Sequence, residues 1–298
     1  MLATIRHWFV DNFVDLGREM RLSYLPPLMV YVAAGVSGLT GIVGTFFVKE
    51  YLGLSAAFLA ALGFWAGIPW ALKMPLGHLV DLIWRHKAGL VWLGAGLIAT
   101  SLLIMLGLVT EPLRMRAVMS IEAWFVLSAL LSPVGYVLQD VVADAMTVEA
   151  VPRVDEHGRP LPAATRRLMN TTLQTLGRVA IIGGGVLVSL VNVLMFAGVE
   201  SLPPNAKAAI YSEVYALALL IPVISVAGVL LAALLQRRER QRLRARGFAE
   251  ARLRELLEPP LEPVQPNWWI LGGSLVFVVI SLSVGLSQLP FGEEIVFL

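Results

Sequence analysis

Two aspartates, Asp140 and Asp144, stand four residues apart in VLQDVVADAMTVE, within a stretch that is otherwise largely apolar. On a helix this spacing puts both carboxylates on one face, with Gln139 beside them. Like charges so placed repel, so they either share a cation or one of them carries a proton. Two cations in apolar stretches could serve: Lys73 in IPWALKMPLG and Arg178 in LGRVAII. If the apolar stretches holding Asp140 and Arg178 form an antiparallel hairpin, the two residues lie at one depth. Each is then about ten residues, or ~15 Å, from the connecting turn. Lys73 sits a little nearer that surface. A charge at bilayer depth costs about 2.5–3.5 kcal/mol on insertion scales, so each needs a partner or a water-filled cavity. The residues alone leave two roles open: salt bridges that lock helices together, or the carriage of a proton or substrate. Glu122, a fifth ionisable residue in such stretches, falls near a helix end and is expected to reach water.

The elements that position these groups are long and apolar. Apolar residues make up 57% of the 298 and charged residues only 15%, far from the balance of a water-soluble domain. Seven blocks stand out, at 25–48, 55–80, 88–109, 117–147, 168–197, 211–235 and 267–289. Each has the ~20 residues that an α-helix needs to cross the hydrocarbon core. Basic residues alternate between the connections. Arg6, Arg18, Arg21, Arg85, Lys87, Arg153, Arg159, Arg166, Arg167 and the eight Arg of 237–254 all fall on one side, 17 of the 23 basic residues. Only Lys49, Arg114, Arg116 and Lys207 fall on the other. The positive-inside rule then places the N-terminus in the cytoplasm and the chain in the inner, or plasma, membrane as a multi-pass protein.

Residues 1–22 mix acidic and basic side chains with Ile5, Trp8, Phe9, Phe13 and Leu16, the pattern of an amphipathic helix on the membrane surface. Residues 23–236 hold six spans. Residues 237–266 form a cytoplasmic linker, Arg-rich and then Pro-rich, suited to anionic headgroups or to a docking partner. Residues 267–298 hold the seventh span and an outer tail. Small residues four apart in the first span (Ala34 and Gly38, Ser37 and Gly41, Thr40 and Gly44) and Gly183 to Gly185 in the fifth imply close helix approach. A sharper alternative is a discontinuous helix that exposes backbone to a substrate. Pro69 and Pro75 in the second span, Pro133 in the fourth and Pro222 in the sixth are expected to kink their helices.

The run Gly77-His78-Leu79-Val80-Asp81, followed by Arg85 and Lys87, occupies the turn between spans two and three. It resembles the signature loop of the major facilitator superfamily, which helps to hold one conformational state, although a second Gly and one Arg of the usual pattern are absent. Ile68 to Gly77 and Gln139 to Ala145, the latter running on to Glu149, are similar to the paired signatures of the folate-biopterin transporter family of that superfamily. The resemblance covers about residues 23 to 290. It implies an all-α membrane protein whose N-terminal six-helix bundle is built from two inverted three-helix repeats, with a seventh span added. Spans one and four would line a central cavity. A weaker resemblance is to the facilitator-like proteins that assist assembly of light-harvesting complexes and handle bacteriochlorophyll.

The expected function is secondary active transport of an amphipathic organic anion, a pterin or folate, coupled to protons. Asp140 or Asp144 would carry the proton, Lys73 or Arg178 would balance charge or meet the substrate with Gln139 nearby, and Gly77, Asp81, Arg85 and Lys87 would form the gating loop. The competing expectation is a non-transporting subunit or assembly factor, for example of a photosynthetic pigment-protein complex. A facilitator has two six-helix domains, so a truncated parent, a partner chain or segment supplying the second domain, and a repurposed half are all open. The closing GEEIVFL has the look of a loop leading into a further span. An enzyme is not expected, since no nucleophile-base pair or metal-ligand spacing occurs at membrane depth. No cofactor, metal or nucleic acid is expected either; the formal charge is only +2 and there is no Cys.

Overall fold

A computed structural model describes residues 20–48, 52–155, 159–257 and 265–286, and the expected amphipathic helix before residue 20 lies outside the described residues, as does the outer tail. The described chain is built from helices, with one isolated antiparallel bridge between Val154 and Pro160. In chain order these are α1 (Leu25–Gly35), α2 (Gly41–Phe47), α3 (Ala56–Ala71), α4 (Lys73–Leu82), α5 (Lys87–Thr110) and α6 (Pro112–Val118). There follow α7 (Ile121–Ala150), α8 (Ala163–Phe196), α9 (Pro204–Ala218), α10 (Leu220–Ala245), α11 (Glu250–Leu257) and α12 (Trp268–Leu286). Six helical segments are long and apolar enough to cross a bilayer: Leu22–Phe47, Ala57–Leu82, Lys87–Thr110, Ile121–Ala150, Ala163–Phe196 and Asn205–Ala245. α12 is a shorter apolar helix of 19 residues, which at 1.5 Å per residue rises ~28 Å. This is an all-α membrane protein.

Three of the six spans are interrupted, and two of the interruptions follow from proline. Pro75 lacks the N–H that would meet the carbonyl of Ala71, and the second span breaks at Leu72 between α3 and α4. Pro222 stands in the same relation to Ala218, and the sixth span breaks at Leu219 between α9 and α10. Pro133, by contrast, sits within an unbroken α7. The first span has no proline at its interruption. Between α1 and α2 it tightens into a 3-10 turn over Val36–Thr40, at the small residues that bring it against α8. A Cβ on Gly35 would lie 2.5 Å from the Ile181 carbonyl oxygen, and one on Gly184 would lie 2.8 Å from the Gly35 carbonyl carbon. Close approach is therefore made by Gly184 and by Gly35, which is not one of the paired small residues of the first span. Of those, Gly38 and Gly44 would meet only side chains, at 4.0 and 3.9 Å, and Gly41 nothing within 4 Å, while α8 itself runs unbroken through Gly183 to Gly185.

α7 is central: α5 packs along it, and α1, α3, α4 and α8 also touch it. Gly94 of α5 and Gly135 of α7 let those backbones meet, since a Cβ on Gly94 would stand 2.6 Å from the Gly135 carbonyl oxygen. Ser101 and Ser128 exchange hydrogen bonds across the same seam, the hydroxyls 2.9 Å apart, so neither buried polar group lacks a partner. α10 continues past residue 236 to Ala245, carrying Arg237 to Arg244 on the same helix as the sixth span. It stops at Gly247, whose φ of 85° is open to glycine with little penalty, and Phe248 N–H returns to the Leu243 carbonyl at 3.3 Å.

Candidate functional site

The break at Leu72 makes Lys73 the first residue of α4. A cation at a helix N-terminus faces the positive end of the helix dipole and gains from anions close by. α7 supplies two. Lys73 Nζ lies 2.5 Å from Asp140 Oδ2 and 3.1 Å from Asp144 Oδ2, so one ammonium bridges both carboxylates, as their helical spacing allows. The carboxylates differ in setting. The side chain of Asp140 is 9% exposed, whereas that of Asp144 is 51% exposed. Asp144 has a further partner on α1: the Tyr31 hydroxyl donates to its Oδ1 at 2.6 Å. Tyr31 is buried, and its ring lies over Gly177 of α8, where a Cβ would come within 2.7 Å of ring carbon Cε2. The group therefore ties α1, α4, α7 and α8 together, with one positive charge against two negative ones.

The other residues singled out in the sequence fall around this group or away from it. Gln139 is buried and engaged elsewhere: the Ser225 hydroxyl of α10 donates to its Oε1 at 2.9 Å, and its Nε2 donates to the Val91 carbonyl of α5 at 3.4 Å. Arg178 is exposed on α8 and makes no ion pair among the described residues; of the two cations considered for the aspartates, Lys73 is the one that binds them. Gly77 faces α7, where a Cβ would rest 4.0 Å from Val141 Cγ1. Asp81 is exposed at the end of α4. Lys87 Nζ donates to Glu149 Oε1 at 2.6 Å and to the Trp84 carbonyl at 3.2 Å. It also sits 4.0 Å from the centroid of the Trp84 ring, a cation–π contact. This joins the α4–α5 turn to the end of α7. The side chain of Arg85 lies outside the described residues.

Three participants were not singled out as such by sequence reasoning: Tyr31, Gly177 and Glu149 as the partner of Lys87. Glu149 had a signal, since it follows the two aspartates on the same helix and a cationic turn is due at that end. Tyr31 had none, because a tyrosine in an apolar span is as readily a core residue.

A stretch of 148 residues, 49% of this chain, is 29% identical to a folate-biopterin transporter of Synechocystis sp.. The aligned part is 28% of that protein's length, so the chain spans well under half of this relative. No family model matches the chain, and no solved structure matches it.

Proposed function

We propose that this chain acts in secondary active transport of an amphipathic organic anion of the pterin or folate kind, with protons as the coupling ion. The single observation that carries the reading is the Lys73, Asp140, Asp144 and Tyr31 group. Charges at membrane depth are retained where they serve movement of an ion or substrate, and this group joins three spans at a point where α4 begins anew. Its charge does not close, one cation against two carboxylates, which leaves a place for a proton. Protonation of either aspartate would loosen Lys73, freeing an ammonium to meet an anion and letting α4 move against α7. Arg178, exposed one residue beyond the Tyr31 contact, would offer the anion a second cation. Lys87 and Glu149, with Gly77 and Asp81 nearby, would latch one end of the bundle in one state. The family resemblance, and the relative that bears the folate-biopterin name, supply the substrate class.

In this reading the protein sits in the inner membrane with its N-terminus in the cytoplasm. A further bundle, from a partner chain or from sequence beyond these residues, would cover the exposed side of α3, α4 and α8 around Trp70, Met74, Arg178 and Ile182. The test is uptake of labelled folate and of a labelled pterin by proteoliposomes holding the protein, with and without an inward proton gradient. Accumulation above the equilibrium level with the gradient, abolished by a protonophore, is expected. Uptake of neither compound, or uptake indifferent to the gradient, contradicts the proposal.

A further inference from the structure

The start of α12 is tied to α4 by a hydrogen bond whose chemistry fixes a protonation state. Asn267 N–H donates to His78 Nε2 at 2.8 Å. The same asparagine caps α12, its Oδ1 accepting from Trp269 N–H at 3.1 Å and from Ile270 N–H at 3.3 Å, so its backbone is fixed where the helix begins. The two tryptophans that follow do not clamp this end, being 74% and 91% exposed. Further along, α4 and α12 part around an open cleft of about 420 Å³, lined in part by Met74, Pro75, Trp269 and Phe277. The hydrogen bond therefore holds α12 where its side-chain packing on α4 is thin.

A backbone N–H can only donate, so Nε2 must offer its lone pair and the ring must be neutral, with its one proton on Nδ1. A second proton would remove the acceptor. It would also set an imidazolium against the first turn of α12, where the helix dipole is positive. Both effects run one way: the contact holds while the ring is neutral and is lost as the pH falls through the ordinary imidazole range, around pH 6.5. Among the described residues, few charges face the ring. On α4, Asp81 is exposed about one turn further on, and His86 is exposed in the turn that follows. α3 and α12, which both pack on α4, carry no charged residue, and neither do residues 265–267. α7, also packed on α4, holds Asp140 and Asp144 on Lys73 and Glu149 on Lys87. We propose that His78 is a pH-sensitive latch that seats α12 on α4 when neutral and releases it when protonated. The latch rests on this contact and not on the transport reading. Since α4 also carries Lys73, a proton on His78 would change the packing of that helix without a contact to the ionic group itself.

The test measures the distance from α12 to the bundle in the full chain, held in lipid nanodiscs. Because the chain has no cysteine, Leu93→Cys on α5 and Val276→Cys on α12, both at exposed positions, take nitroxide labels at those two sites alone. Pulsed electron–electron resonance then reads their separation at about pH 8 and about pH 5.5, on either side of the imidazole range. With His78 in place, a single narrow distance is expected at the higher pH, and a longer, broader distribution holding most of the signal at the lower. His78→Gln, whose amide oxygen can accept from Asn267 without titrating, should keep the narrow distance at both. His78→Leu, which offers no acceptor, should give the broad distribution at both. A distance that does not change with pH while His78 is present overturns the latch. So does an acid-induced change that persists in His78→Gln, which assigns the response to another group, or a narrow distance in His78→Leu at the higher pH, which shows the hydrogen bond to be dispensable.

Discussion

At the scale of single residues, the stability of the ionic group rests on an inequality of exposure. Asp140 is nearly closed off, while Lys73 is 42% exposed, so removing the lysine strands a buried carboxylate, whereas removing the carboxylate leaves an ammonium that can still reach solvent or headgroups. Breaking one side of a fully buried pair costs about 3–5 kcal/mol, and exposed pairs give about 0–1 kcal/mol; a half-exposed lysine places Lys73→Met between, at roughly 2 kcal/mol. Asp140→Asn should lose less, and the double variant should recover part of the Lys73→Met loss. Melting of the four proteins in detergent, read as a double-mutant cycle, checks this. A double variant as unstable as the sum of the single ones would mean that the two side chains do not couple. Tyr31→Phe removes a hydrogen bond to a charged group, about 1.5–3 kcal/mol, without disturbing the ring on Gly177. Why Lys73 and not Arg178 takes the carboxylates was not legible in the sequence. Depth along a helix can be counted from the turn, but rotation about its axis cannot. Gly177 faces Tyr31, and Arg178, one residue or about 100° further round, is turned out of the group. Tyr31 itself was illegible because its place depends on the missing Cβ of a glycine on another helix.

At the scale of the elements, the order and place of the six long spans were legible because hydrocarbon thickness dictates them, but the sixth segment runs 41 residues, Asn205–Ala245, where 211–235 was expected. Their internal breaks were only partly so. Pro75 and Pro222 mark the breaks at Leu72 and Leu219, each freeing the carbonyl four residues back, whereas the turn at Val36–Thr40 carries no proline. It answers to contact with α8, which sequence periodicity does not reveal. The adjacent glycines of α8 give a clean check. A Cβ on Gly184 would strike the backbone of Gly35, while one on Gly183 would meet nothing within 4 Å. Gly184→Ala should therefore destabilise by about 1–3 kcal/mol through overpacking. Gly183→Ala should be neutral or stabilise by up to about 1 kcal/mol through helix propensity. Equal effects in thermal melting would show that α1 and α8 do not meet as described. The Arg-rich stretch after residue 236 is helical and continuous with the sixth span: arginine propagates a helix well, and α10 runs on to Ala245.

At the scale of the whole molecule, α1, α4, α7 and α8 meet at the ionic group, and both ends of the bundle can be addressed by chemistry, since the chain has no cysteine. A single introduced cysteine is then a unique label. Under the proposed orientation, N-terminus in the cytoplasm, Arg159→Cys and Arg238→Cys should react with a membrane-impermeant maleimide only in inverted vesicles, and Arg114→Cys only in intact cells. The opposite pattern would reverse the assigned orientation and the sense of any proton coupling drawn from it.

In the proposed transport, the buried Asp140 carboxylate carries the coupling proton. The measurement is uptake of labelled folate and of a labelled pterin into proteoliposomes by the native chain and by Asp140→Asn, each with and without an inward proton gradient. The native chain should concentrate substrate on the gradient, and Asp140→Asn should lose at least tenfold of that gradient-driven uptake while still exchanging substrate across the membrane without it. Equal gradient-driven uptake by the two proteins would contradict it.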